Sequence, residues 1–460
     1  MDLSRRIYPL DPRELTEEQL AVVFAMTSRN PKPFDEIAKV VTAEKAADFH
    51  ERWVLNYGHA SVAEHAILHM AVENISRLAC DTLEDNRLAS YTEKSSRYQV
   101  LDQGHYHIPV ELDGHRLRDV YVNTCDSLFR AYQDTTEKLL EHLASVTPKN
   151  EGERDSGYNL RLRRAATDVC RFLLPTATLT NVGMTLNARS MEHAVRKLLS
   201  SNLLEEHDIG EALREQGRTI TPTLIKYADR NGYLVLSRAS LESLAEDEKE
   251  SIPYGACRAE LVHYDPEAES KLVTALLYRF SSGSYGDIWQ RVENMSQAQR
   301  EEVVHKALNS LGPHDIPIRE LEAVDYTFDL VMDYGAYREF KRHRMQTYIS
   351  QQATVDLGYI IPDLILQAGL EGQFKEAMET AARGFHSVSE ALPGVGGYLV
   401  THAHLRRVLS KMNLRECFHL FKLRTSPQAH FTLRGVMKEA LDLATQRHPL
   451  LFKYLQLRDE

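Results

Sequence analysis

The chain contains one pattern twice. AVVFAMTSRNPKPFDEIAKV, from Ala21, resembles ALLYRFSSGSYGDIWQRV, from Ala275, and WVLNYGHAS, from Trp53, resembles KALNSLGPHD, from Lys306. Further on, LHMAVENI from Leu68 matches YTFDLVMD from Tyr326, DNRLASY from Asp85 matches RHRMQTY from Arg342, and NARSMEH from Asn187 matches NLRECFH from Asn413. Order and spacing agree over about 180 residues per half, far beyond the period of a solenoid. The chain is therefore expected to hold two copies of one domain, at 1–238 and 261–460. The charged, weakly apolar stretch within 239–260, ending in Ile252-Pro253-Tyr254-Gly255, is expected to link them.

With 460 residues, 43% of them hydrophobic, each copy can bury a core without a metal or disulfide staple. Apolar spacing predicts a helix over Leu15 to Met26, stopped by Asn30-Pro31-Lys32-Pro33, and Thr42 is placed to cap the next. Ser61 and Glu64 have capping-box spacing. Leu68, Met70 and Val72 then alternate with His69, Ala71 and Glu73, the period of a half-buried strand, and Ser76 is placed to cap a helix running to Arg87. In the second copy Tyr326, Phe328, Leu330 and Met332 repeat the alternation. Residues 116–235 read as mainly helical, with Pro175 ending one helix and the small-residue run TATLTNVGMTL leading to another from Asn187. The fold class is α+β, two tandem domains, each a small mixed or antiparallel sheet packed by long helices.

A formal charge of −11 argues against a long nucleic-acid-binding face but allows a local arginine pocket for a small phosphate. The five cysteines are scattered without Cys-x-x-Cys spacing, which points to neither a disulfide framework nor a zinc site. His65 and His69 stand four apart, yet that segment turns into a strand and offers no third ligand, so no metal is expected. No apolar run reaches signal-peptide or transmembrane length, and the expected setting is the reducing cytoplasm, away from membranes.

The polar residues at close spacing carry the chemistry. A phosphate monoester is nearly a dianion and is best held by several guanidinium forks with hydroxyl donors. Serines and arginines able to do this occur in both copies. GHASVAEH from Gly58, then a strand, then Arg87 followed after seven residues by Ser95 closely resembles the flavin-dependent thymidylate synthases. Their hallmark is GHxSxxEH, then RHR, seven residues and Ser. The downstream R-x-x-L-P, T and N-x-R pattern is met by Arg171, Leu174, Pro175, Thr180, Asn187 and Arg189.

The departures are complementary. In the first copy Asp85 and Asn86 replace the Arg-His of RHR, and Leu198 stands where the family has an arginine eleven residues after the N-x-R asparagine. The second copy keeps Arg342, His343, Arg344 and Arg424, but has Gln352 and Thr354 where the first has Ser95 and Arg97, and Gly397 where the first has Arg171. The family forms homotetramers whose active sites draw on several subunits. The resemblance thus implies one composite site kept and its pseudo-symmetric partner decayed, in a homodimer that imitates a family tetramer.

The resemblance also implies roles. Glu93, Ser95, Arg97, Tyr98, Arg171, Arg342 and Arg424 would bind substrate, with Arg342 and Arg424 stabilising charge on the uracil carbonyls. His59, Ser61, Glu64, Asn187, Arg189, His193, Ser281, Arg342, His343, Arg344, Asn413, Arg415 and His419 would bind FAD. The implied reaction is reductive methylation of dUMP to dTMP, with methylenetetrahydrofolate and NADPH as co-substrates. The altered DNR and QQAT motifs keep two alternatives open: action on another pyrimidine nucleotide, or flavin and nucleotide binding without catalysis.

Overall fold

The computed structural model describes residues 5–97, 100–245, 256 and 258–458; Tyr98 and the core of the expected linker lie outside the described residues. By internal contacts the chain forms two compact units. The first comprises Met1–Asn123, Thr176–Lys249 and Ser387–Tyr398; the second comprises Thr124–Pro175, Glu250–His386 and Leu399–Glu460. Among the described residues, no helix is long and apolar enough to cross a membrane.

In the first unit three antiparallel strands, β1 (Ile67–Ser76), β2 (Ala89–Glu93) and β3 (Leu179–Asn187), form a sheet of order β1-β3-β2. Leu68 faces Leu186, and both Met70 and Tyr91 face Met184. Their apolar face packs with Met191, Val195 and Leu198 of the helix Ala188–Leu199 and with Ile209 and Leu213 of Leu204–Ile220. A bulge interrupts β1 between Val72 and Ile75, and Asn74 takes φ 57°, a left-handed conformation that asparagine tolerates better than most side chains.

In the second unit β4 (Arg258–Tyr264), β5 (Asp325–Asp333), β6 (Thr347–Ser350) and β7 (Leu405–Asn413) form a sheet of order β4-β5-β7-β6. Strands β5, β7 and β6 repeat β1, β3 and β2, so the duplication holds at the level of the sheet, and β4 is an added edge. Tyr326, Phe328, Leu330 and Met332 are all buried, as their alternation predicts, in a core that includes Phe421, Leu433 and Phe452.

Local expectations fare unevenly. Thr42 and Ser76 cap their helices as expected, accepting from the N–H groups of Lys45 and Ala79. The helix after Ser76 ends at Leu83, short of Arg87, because Asp85 and Asn86 suit the turn that leads into β2. Ser61 and Glu64 form no capping box: Ala60–His65 is a 3₁₀ helix with no side-chain cap, and Glu64 turns to Arg189 instead. The run TATLTNVGMTL supplies the central strand β3. Its Val182, Met184 and Leu186 alternate correctly, but Gly183 and Thr185 between them weaken the signal.

A hydroxyl and a carboxylate trade places between the copies. Ser76 Oγ donates to Glu205 Oε2 at 2.6 Å, and the Ser76 N–H donates to Oε1 at 2.7 Å. Tyr398 also donates to this carboxylate, at 2.9 Å. In the second unit the corresponding cap is Asp333, and Thr432, whose hydroxyl lies 2.6 Å from Nδ1 of His430, stands at the position matching Glu205 when Pro222 and Pro449 are aligned. Burial pushes the Asp333 carboxyl up to about 6. Ser76→Ala removes both a helix cap and a donor to a buried carboxylate, so it should cost about 2 kcal/mol of stability in denaturant titration. A loss within experimental error would mean that water replaces the hydroxyl.

Candidate active site

In the second unit the helix Tyr334–Phe340 ends in a turn whose residues alternate between solvent and interior. Arg342 and Arg344 are exposed, whereas His343 is buried, with 4% of its surface accessible. His343 Nε2 lies 2.8 Å from Nε of Arg424, at the end of the helix Leu414–Arg424, and Nδ1 lies 3.1 Å from Oε1 of Glu416. A guanidinium can only donate, so Nε2 must be the acceptor and Nδ1 carries the proton that Glu416 accepts. Burial first, and the charge of Arg424 second, hold His343 far down, at about 3, so it is neutral at physiological pH. Burial pushes Glu416 up to about 7. Arg424 also pairs through Nη1 with Glu339, whose other oxygen accepts from the His430 N–H at 3.1 Å.

Beside this network lies a cavity of about 520 Å³, walled in part by Met345, Asn413, Arg415, Glu416, His419 and Lys422. Arg415 is fixed by Glu322 at 2.6 Å and by the Pro317 carbonyl at 2.8 Å. The His419 ring is 5.3 Å from that of His343. Asn413 caps its helix by accepting from the Glu416 N–H. Ser281, Arg342 and Arg344 lie outside these walls, and Ser281 Oγ accepts from the Gly283 N–H. Arg171 also belongs to this unit by contact, although it lies in the first copy by sequence. It is largely buried and pairs with Asp168 at 2.9 Å.

In the first unit a cavity of about 950 Å³ gathers His59, Ser61 and Glu64 with Phe24, Arg29 and Trp53. A wide-turn helical segment, His50–Asn56, presents Trp53, and Arg29 lies over its ring at 4.5 Å. Arg189 reaches Glu64 at 2.5 Å, tying the N-x-R helix to the GHxSxxEH turn. Asn187 caps its helix and His193 is exposed.

At the end of β2, Glu93 is in a buried ion pair with Arg77 at 2.8 Å and accepts from Thr180 at 3.0 Å. Ser95 is exposed, and its Oγ accepts from the Arg97 N–H at 3.2 Å. Asn86, in the altered motif, donates to the Leu83 carbonyl at 2.9 Å, and Asp85 pairs with Lys197 at 3.4 Å. Cys80, Glu84 and Glu93 bring potential ligand atoms within 4.8 Å of one another, but Glu93 is already committed to Arg77.

The expected residues thus gather in three places: His59, Ser61, Glu64 and Arg189 around the first-unit cavity; Asn413, Arg415 and His419 around the second-unit cavity; and His343 with Arg424 behind it. Ser95 and Arg97 belong to the first unit, and Arg171 and Arg424 to the second. Sequence reasoning missed Glu339, Glu416 and Arg77. The available signal was a charged residue at a core-facing position of its helix.

The family described as "Thymidylate synthase complementing protein" matches residues 13–223 and, separately, residues 260–450. A "UPF0159 protein" of Chlamydia muridarum is 31% identical over 437 residues, spanning 90% of this chain and 82% of that protein. A "Flavin-dependent thymidylate synthase" of Clostridium tetani is 26% identical over 213 residues, spanning 46% of this chain and 82% of its own length. The crystal structure of ThyX from Helicobacter pylori complexed with FAD and dUMP aligns with 44% of this chain and all of its own, at 17% identity and a TM-score of 0.33. Both copies match, so the chain belongs to the thymidylate synthase complementing protein family as a tandem duplication.

Proposed function

We propose that this chain is a flavin-dependent thymidylate synthase that methylates dUMP to dTMP, using methylenetetrahydrofolate, NADPH and FAD. The observation that carries this reading is the intact RHR turn of the second copy, in which a neutral, buried His343 and the carboxylate of Glu339 fix Arg424. A guanidinium fixed in this way suits charge that develops on a uracil carbonyl. Family membership and relatives named for this activity support the assignment.

The residues present fit a flavin dinucleotide. Both cavities fall in the size range of cofactor sites, and the second is edged by Arg415, His419, Lys422 and Arg458. Arg415, His419, Asn413, Arg342 and Arg344 would hold the cofactor on one side, and His59, Ser61, Glu64, Asn187, Arg189, His193 and Ser281 are further contacts in this reading. Bound flavin supplies hydride. The protein's own share is to bind and orient: Ser95, Arg97, Tyr98 and Arg171 hold the nucleotide, and Glu93, paired with Arg77, braces the end of β2 just before Ser95. The working assembly is a homodimer, because two chains supply four family-type copies. A reducing cytoplasm suits the buried free thiols of Cys80, Cys125, Cys170 and Cys417.

Arg344→Ala should release FAD on desalting, whereas Arg97→Ala should keep FAD and weaken dUMP binding about tenfold to a hundredfold. Equal loss of flavin in both variants, read by absorbance, would argue against this division of labour. A colourless protein that gains no bound-flavin spectrum with added FAD would sink the enzyme assignment altogether. A yellow protein that ignores dUMP would favour another pyrimidine nucleotide, a reading to which the altered DNR and QQAT motifs lend some weight.

A further inference from the structure

We infer that Glu416 is a positioning residue for Arg424, acting through the ring of His343. Arg424 needs an acceptor on the inner side of its guanidinium, and His343 provides one only while its proton sits on Nδ1. A neutral imidazole has two tautomers, and the hydrogen bond made by one nitrogen selects the state of the other. Glu416 Oε1, 3.1 Å from Nδ1, selects the form with a bare Nε2. Both side chains are almost fully buried, 2% and 4% exposed, so water does not compete for the proton.

The duplication supplies an internal control. Where the second copy has His343, Glu416 and Arg424, the first has Asn86, Ser190 and Leu198. All three members differ together. In the first copy the Ser190 N–H is capped by Asn187, and Asn86 bonds within its own turn. A carboxylate at position 416 therefore accompanies the histidine and arginine it would serve. Helix capping does not account for it, because Ser190 occupies the same capped position.

The binding arm of the test rests on the nucleotide-site reading above; the tautomer arm does not. The protein is purified with FAD, its histidines are labelled with nitrogen-15, and the His343 signals are assigned by their loss in His343→Gln. Wild type should show the proton on Nδ1 and a bare Nε2. Glu416→Gln, whose amide carbonyl can still accept, should keep that form and stay near wild-type dUMP affinity. Glu416→Leu should lose it and bind dUMP about tenfold more weakly, the effect of one misplaced charge-assisted contact.

A wild-type His343 protonated on Nε2 would overturn the inference without any variant. So would unchanged dUMP affinity in Glu416→Leu, or weakened affinity with the Nδ1 proton still in place. If wild type binds no dUMP, the proposed function fails while the tautomer still decides the relay.

Discussion

Arg77→Leu should remove about 3–5 kcal/mol from the stability of the first unit, the usual cost of stranding one member of a buried ion pair. Arg77 Nη1 lies 2.8 Å from Glu93 Oε1, and the two side chains are 1% and 2% exposed. Without the guanidinium, the Glu93 carboxylate stays in the core with Thr180 as its hydroxyl donor, at 3.0 Å. Arg77→Leu with Glu93→Leu should recover most of the loss, because removing both charges also removes their desolvation cost. Urea titration of the single and double variants checks this. A single variant within about 1 kcal/mol of wild type would show that the pair is not the buried unit it resembles. The second copy solves the same problem differently: Tyr334 and Ser350 stand at the matching positions, and Arg406, matching Thr180, donates to Ser350 at 3.1 Å.

Arg424→Ala should lower dUMP methylation about a hundredfold to a thousandfold, the range measured when one fixed donor to a developing charge is lost. FAD should stay bound, because the remaining cationic contacts assigned to it lie elsewhere. The variant also strands Glu339, so circular dichroism and a thermal melt must accompany the kinetics. Arg424→Lys should not rescue turnover, since a single ammonium cannot serve His343 and Glu339 together in the geometry of a guanidinium fork. A folded Arg424→Ala protein within tenfold of wild type would remove Arg424 from the reacting centre.

Much of this was legible in the sequence because the fold is written twice. The alternation at Leu68–Val72 was supported by that at Tyr326–Met332, and Asn187 and Asn413 each announced a helix start. The central strand β3 escaped notice because small residues interleave its apolar positions. The site was legible as a list of residue types, not as an arrangement. His343 had been expected to touch the cofactor, and its burial against Glu416 depends on a carboxylate more than seventy residues away in the chain. The Arg77–Glu93 pair was hidden for a related reason: helix and strand must fold before the two side chains meet. Glu64 and Ser61 had the spacing of a cap, yet Arg189 competes for Glu64 from another helix.

The exchanged hydroxyl and carboxylate have a genetic consequence. Tandem repeats within one gene are prone to recombine with each other and become alike again. A crossover falling between positions 76 and 205 of the first repeat, and at the matching place in the second, would join Ser76 to the Thr432 type, or Asp333 to the Glu205 type. The first product has two hydroxyls and no charge to receive them; the second forces two carboxylates into a space built for one. Either hybrid is penalised at a point outside the RHR turn itself. The mismatch would therefore shield the division of labour between the repeats from being erased by homogenisation.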